Sequence, residues 1–232
     1  MSPDLTNILA ACLPEVVVGA GICVVLLAGL FARDSGNVVY LLSMACLVAA
    51  AWVIGAADQA ATVVMPGGAF VQDPLARFLK LFTLAVTAVV FVYSRGYVRE
   101  RRLDAAEFYV LALFALLGIL VMISSASFLV MYLGLETLSL ALYALVAFER
   151  DSAVGAEAAM KYFVLGAIAS GCLLYGISIL YGATGSILFS DVAAALRPGA
   201  TAQLSALVGL AFVIVGVAFK FGAVPFHTWV PD

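Results

Sequence analysis

Seven apolar runs, at residues 5–31, 38–57, 75–93, 108–123, 128–148, 158–181 and 204–219, take up most of this 232-residue chain. Roughly 20 apolar residues in a helix cross a hydrocarbon layer ~30 Å thick, so each run reads as a membrane-crossing helix. The fourth and seventh are short and need flanking small residues to span. All seven are continuous, without the alternation that barrel strands require, which excludes a membrane barrel. Composition agrees: 66% of residues are hydrophobic and 11% charged, with a mean hydropathy of +1.18. A soluble domain carries about 25% charged residues, so a soluble enzyme or receptor is excluded. The expected fold is all-α, a polytopic transmembrane bundle of about seven helices.

Loop chemistry orients that bundle. With the N-terminus outside, the inner loops hold Arg33, Arg95, Arg99, Arg101, Arg102 and Arg150, while the outer loops hold only Arg197. That asymmetry follows the positive-inside rule. MSPDLTNILA carries Asp4 in place of the basic region of a signal peptide, so the first run reads as a retained helix. Asp73-Pro74 supplies a cap and a first-turn proline for the third helix. SRGYVRERRLDAAE reads as a charged inner loop, and 124–127 as a tight polar turn outside. The outer connection 182–202 has room for a short interfacial helix at 191–196. Arg77 and Lys80, just inside the outer end of the third helix, are expected to snorkel to the interface. Gly166 with Ser170, and Ala167 with Gly171, offer the small-residue spacing that lets helices approach closely in lipid.

Glu136 and Lys161 fall inside the fifth and sixth runs, and Lys220 directly follows the seventh. A charge near the bilayer centre costs about 2.5–3.5 kcal/mol on insertion scales, and such groups mark ion or proton paths. Glu136 lies near mid-membrane and must face the bundle to stay ionised. Lys161 sits one turn into the sixth helix, on a neighbour expected to face Glu136, at a shallower depth that suits a water bridge. Lys220 immediately precedes Phe221-Gly222-Ala223-Val224-Pro225, where glycine and proline interrupt a helix. Inside a membrane such a break is tolerated only where it lines a protein or water cavity. The alternative is a helix that simply ends at the inner surface. His227, the one histidine, titrates near neutral pH and suits a proton relay, or an interfacial role beside Trp229. Cys12, Cys23, Cys46 and Cys172 form no CxxC pair and read as buried apolar packers. No basic patch with interleaved aromatics points to nucleic acid.

LGLETLSLALYALVAF, AEAAMKYFVLGAIASGCLLYGISILYGATGSI and FKFGAVPFHTWVPD resemble one family, the antiporter-like subunit N of bacterial NADH:quinone oxidoreductase (respiratory complex I), over its N-terminal part. The likeness is dense over the second half of the chain and loose over the first three helices, chiefly through Leu13-Pro14-Glu15. It implies a discontinuous seventh helix carrying Lys220, with Glu136, Lys161 and His227 as further proton-relay groups. It implies three N-terminal helices over 1–103 and a first antiporter-like half over 104–232, the inverted-repeat partner half being absent. It also implies a multi-pass protein of the bacterial inner membrane whose partners are other membrane subunits of complex I, the lipid bilayer, protons and internal water. No cofactor is expected in this chain; flavin, iron–sulfur clusters and quinone belong to other subunits. Two other readings stand beside it. One is a subunit of a multisubunit cation/proton antiporter, for which Thr137 and Ser139 are nearby oxygen ligands. The other is a non-pumping structural subunit in which all three charges tolerate neutral replacement.

Overall fold

Lipid offers the backbone no hydrogen-bond partners, so long apolar runs must coil into helices. In a computed structural model, which describes residues 3–31, 36–57, 62–101, 105–149, 151–197, 203–227 and 229, they do so throughout. The helices are α1 (Pro3–Phe31), α2 (Gly36–Ala56), α3 (Pro74–Glu100), α4 (Ala105–Ile123), α5 (Phe128–Val146), α6 (Ala153–Thr184), α7 (Phe189–Ala195) and α8 (Gln203–Lys220). Of these, α1 to α6 are long and apolar enough to cross a membrane, while α8 is apolar but shorter. The protein is a multi-pass helical bundle.

One end of the bundle is knitted by irregular backbone. A hairpin of β1 (Val63–Val64) and β2 (Val71–Gln72) pairs Val63 with Gln72, and Phe70 bridges onward to Ser125. Val71 N donates to Ser124 O at 2.8 Å, and Phe128 N to Ile187 O at 2.9 Å. The α4–α5 turn therefore holds both the hairpin and the segment leading into α7. Two-residue strands are too short to leave an alternating pattern, so the hairpin was invisible in the sequence.

Other expectations hold or shift by small amounts. Asp73 caps α3 by accepting from Ala76 N at 2.6 Å, with Pro74 at the first helical position. The short helix of the 182–202 connection forms at Phe189–Ala195. The charged stretch after residue 93 is not a loop: α3 runs on to Glu100. Its arginines find partners there as helical residues, Arg95 Nη2 donating to Asn37 Oδ1 at 2.9 Å and its guanidinium lying 4.5 Å from the Tyr40 ring centre. Of the four cysteines only Cys46 is buried, Cys12 and Cys172 are half-buried, and Cys23 is exposed on α1.

Two cores organise the packing. Val18, Ile22, Leu47, Leu84, Tyr109 and Leu113 join α1 to α4, and Leu173, Ile177, Leu180, Val192 and Val213 join α6, α7 and α8. Between them α4 meets α5 at Gly118 and Gly134, where a β-carbon on Gly118 would stand 2.5 Å from the Gly134 carbonyl oxygen and 2.6 Å from Leu138 N. Only hydrogen fits at that distance from a neighbour's backbone. An equally tight seam joins α6 to α8 at Gly176. Gly171, singled out by its spacing, has nothing within 4 Å and faces outward.

Gly118→Val is expected to lower stability by about 1–3 kcal/mol through overpacking against backbone that cannot yield. Gly171→Ala is expected to leave it unchanged. Thermal unfolding of the two purified variants in the same detergent checks both; equal midpoints would show that the α4–α5 seam relaxes freely.

Candidate functional site

Three helices converge on Glu136. α5 carries it near its middle, about 12 Å along the axis from Phe128 at ~1.5 Å per residue. From α6, Ser170 Oγ donates to Glu136 Oε1 at 2.5 Å. From α8, the Lys220 ammonium lies 3.6 Å from the same oxygen. The two charged side chains are only 12% and 22% exposed.

Lys220 is the last residue of α8, and the chain folds away directly behind it. Ala223 N donates to Ala218 O and Gly222 N to Phe219 O, both at 2.9 Å, with Gly222 in the left-handed region at φ 62°. This is a Schellman stop, and it closes the helix one residue after the lysine. The stop does not lie at the end of the bundle. Lys220 Nζ also donates to Ser139 Oγ at 2.7 Å and to Tyr143 OH at 3.3 Å, and both acceptors belong to the second half of α5, before its terminus at Val146. The interruption therefore falls at the depth of α5's interior, and the expectation of a break inside the bundle describes it better than a surface ending. Segments beyond Trp229, where a resumed helix would stand, lie outside the described residues.

Behind the break, Trp229 Nε1 donates to Phe219 O at 2.7 Å, and its ring stacks on Tyr162 with centres 4.7 Å apart. The Phe219 carbonyl, which already accepts from Gly222 N, thus takes a second donor from a side chain that packs against α6. The phenol of Tyr143 reaches Lys220 because residue 166 is glycine; a β-carbon there would collide with the Tyr143 hydroxyl.

Of the sequence candidates, Glu136 and Lys220 are brought together and the other two are not. Lys161 is 65% exposed, and its ammonium pairs with Glu157 one turn earlier on α6 at 2.6 Å. The expected facing of Lys161 and Glu136 is corrected by register: Ser170 is the α6 residue at Glu136, and Lys161 is about 13 Å nearer the start of that helix. His227 is exposed in the turn after α8. Arg77 and Lys80 do not snorkel; they are 2% and 0% exposed, drawn inward where Lys80 pairs with Glu15. Ser139, Tyr143 and Ser170 were missed as partners. Glu136, Ser139 and Tyr143 follow a three- and four-residue spacing on α5, which puts them on one helical face and is the signal that could have found them. Thr137 donates to Leu133 O at 2.8 Å, inside its own helix.

Comparison with known proteins follows this geometry. Residues 125–232 match the family described as NADH:quinone oxidoreductase/Mrp antiporter, transmembrane. The NADH-quinone oxidoreductase subunit N of Thiobacillus denitrificans is 50% identical over 96% of this chain and 46% of its own length. That of Herminiimonas arsenicoxydans is 50% identical over 95% of this chain and 46% of its own. The chain belongs to the subunit N family of NADH-quinone oxidoreductase. It spans about half the length of the relatives it matches. Among solved structures, respiratory complex I from Thermus thermophilus superposes with a TM-score of 0.76 at 30% identity, covering 94% of this chain and 46% of that one. The Mrp complex from Dietzia sp. shares the fold, with a TM-score of 0.68 at 22% identity over 99% of this chain and 43% of that one.

Removing one partner of a buried ion pair strands the other, whereas removing both leaves a merely apolar contact. Glu136→Gln and Lys220→Met are therefore expected to destabilise singly by more than their combination implies, with a coupling of about 1–3 kcal/mol. A double-mutant cycle of unfolding in detergent reads this directly, and strictly additive losses would show that the two groups do not interact.

Proposed function

We propose that this chain is a proton-translocating, antiporter-like membrane subunit of NADH:quinone oxidoreductase, in which Lys220 exchanges a proton under the control of Glu136. The observation that carries this reading is the Lys220 ammonium at the end of an interrupted helix, 3.6 Å from Glu136 and flanked by Ser139 and Tyr143. At an effective dielectric of 20, opposite charges 4 Å apart attract by about 4 kcal/mol. That is a large handle on a proton: weakening the attraction releases it from the lysine, and restoring the attraction recaptures it. Ser170 holds the carboxylate toward α8, and the two α5 hydroxyls hold the ammonium in place while the charge changes. Movement of either helix by an ångström or two would act as the switch.

Lys161 and His227 are proposed as relay groups on the approach to this pair. Supporting this, the Trp229–Tyr162 stack draws the segment after α8 toward the part of α6 that carries Lys161. In this reading the energy comes from electron transfer on other subunits of the complex, which hold the redox cofactors, and this chain has none. The protein resides in the bacterial inner membrane with its N-terminus outside, since Arg95, Arg99 and Arg101 cluster at the end of α3 away from the hairpin. The antiporter-like half begins at α4, after the three N-terminal helices of residues 1–103.

A sodium-conducting antiporter is less well supported. Coordination of a metal cation needs several free oxygens, and here Ser139 and Tyr143 accept from Lys220 while Thr137 is engaged with its own backbone. A purely structural subunit leaves the placement of a lysine at an intramembrane helix break without a purpose.

Lys220→Ala in the intact complex tests the proposal. Assembly is expected to hold while proton pumping and coupled turnover fall by an order of magnitude; pumping at the wild-type rate would move the structural reading ahead.

A further inference from the structure

A second buried ion cluster lies under the hairpin. Glu15 on α1 pairs with Lys80 on α3 at 2.5 Å, the two side chains being 8% and 0% exposed. Lys80 Nζ also donates to Gln72 Oε1 at 2.5 Å, and Ser124 Oγ donates to that same oxygen at 3.2 Å. Gln72 and Ser124 are themselves buried, and the Phe70 ring stands 5.3 Å from the ammonium. Four segments, α1, β2, α3 and the α4–α5 turn, thus meet at one lysine.

The charge count sets this cluster apart. Arg77, three residues before Lys80 on the same face of α3, is 2% exposed. Two cations are thus buried on one face of α3, and among the described residues Glu15 is the carboxylate that pairs with Lys80. A tie between helices needs only a neutral pair. An uncompensated charge in a dry interior is costly, and an ionisable group inside a span marks a functional site by default. Of the two cations, arginine does not release a proton and lysine can. Polar satisfaction points the same way. Among the described residues, each buried side-chain nitrogen or oxygen without a hydrogen bond belongs to Arg77 or Glu15. Native interiors satisfy such groups with protein or ordered water, and a polar pocket of this kind admits water.

We propose that Lys80 is a second proton-exchanging lysine of this chain, held by Glu15 and Gln72 and communicating with the aqueous phase at the hairpin end. The proton passes between Nζ and a water molecule, and no other bond changes. Lys80 lies about 9 Å along α3 from Pro74, close to that surface. This inference rests on the proton-moving reading of the Glu136–Lys220 pair and adds a separate site to it.

Lys80→Arg separates exchange from scaffolding, because arginine keeps the charge and the pairing yet does not deprotonate. In the intact complex it is expected to assemble and to lose at least half of the proton-pumping rate. Wild-type pumping in Lys80→Arg would overturn the proposal. Should arginine's bulk prevent assembly, the combined Glu15→Gln, Lys80→Met variant replaces it: pumping reduced two-fold or more supports exchange, and wild-type pumping overturns it. Failure of both variants to assemble assigns the cluster to scaffolding and also overturns it. Lys220→Ala measured alongside keeps the two readings apart. Normal pumping there sinks the first site, whereas normal pumping confined to the Lys80 variants sinks only this one.

Discussion

Hydrocarbon does not solvate an ammonium or a carboxylate, and this single cost decides where the helices of the bundle must touch. Glu136 lies too far along α5 to reach either membrane surface, so its carboxylate needs donors from neighbouring helices. Ser170 and Lys220 supply them, which obliges α6 and α8 to come close to α5 at one depth. The glycine seams make that approach feasible. Gly166 leaves room for the Tyr143 phenol between α5 and α6, and Gly176 lets α8 lie directly on α6 backbone. Lysine at the very end of α8 gains further from the partial negative charge of a helix C-terminus. The site and the packing are thus one problem with one solution.

What the sequence reveals most clearly is whatever lipid enforces. Run lengths set the helices from α1 to α6 within a few residues, and Asp73-Pro74 marks the start of α3. Elements beyond the apolar layer escape that enforcement. α3 continues through Arg95 and Arg99 because an exposed charged turn costs nothing once a helix is nucleated, and no periodicity announces it. The hairpin is held chiefly by backbone bonds to Ser124 and Ala126, which side-chain patterns do not encode.

The site was legible in part for a related reason. Charge inside an apolar run singles out Glu136, Lys161 and Lys220, but it does not say which of the two lysines meets the acid. Connectivity favours Lys161, since α5 and α6 are joined by a short turn. Helical register decides otherwise: antiparallel neighbours match depth with depth, and Ser170, well beyond Lys161, is opposite Glu136. Lys220 arrives from a helix with no short connection to α5, brought there by α8 packing on α6. Lys80 was misjudged by the same logic. Its position near a helix end suggests snorkelling, yet Glu15 from α1 and Gln72 from the hairpin draw it inward.

The two buried clusters differ in a way that bears on how each holds a proton. Around Glu136 one carboxylate faces one lysine, so the pair is neutral when both are ionised and either a gain or a loss of a proton leaves net charge behind. Around Lys80 the carboxylate of Glu15 is joined by the amide oxygen of Gln72, and a second buried cation, Arg77, lies three residues away on α3. The first arrangement resists change unless the helices move, because both directions raise the cost of burial. A group of that kind is governed by geometry, and a helix interrupted at Lys220 supplies movable geometry. The second arrangement sits in a fixed framework, since α1, the hairpin, α3 and the α4–α5 turn all contribute to it. The proposed roles follow that difference: a pair set by the meeting of three helices suits switching, and a cluster in a fixed framework suits steady exchange with the nearby surface.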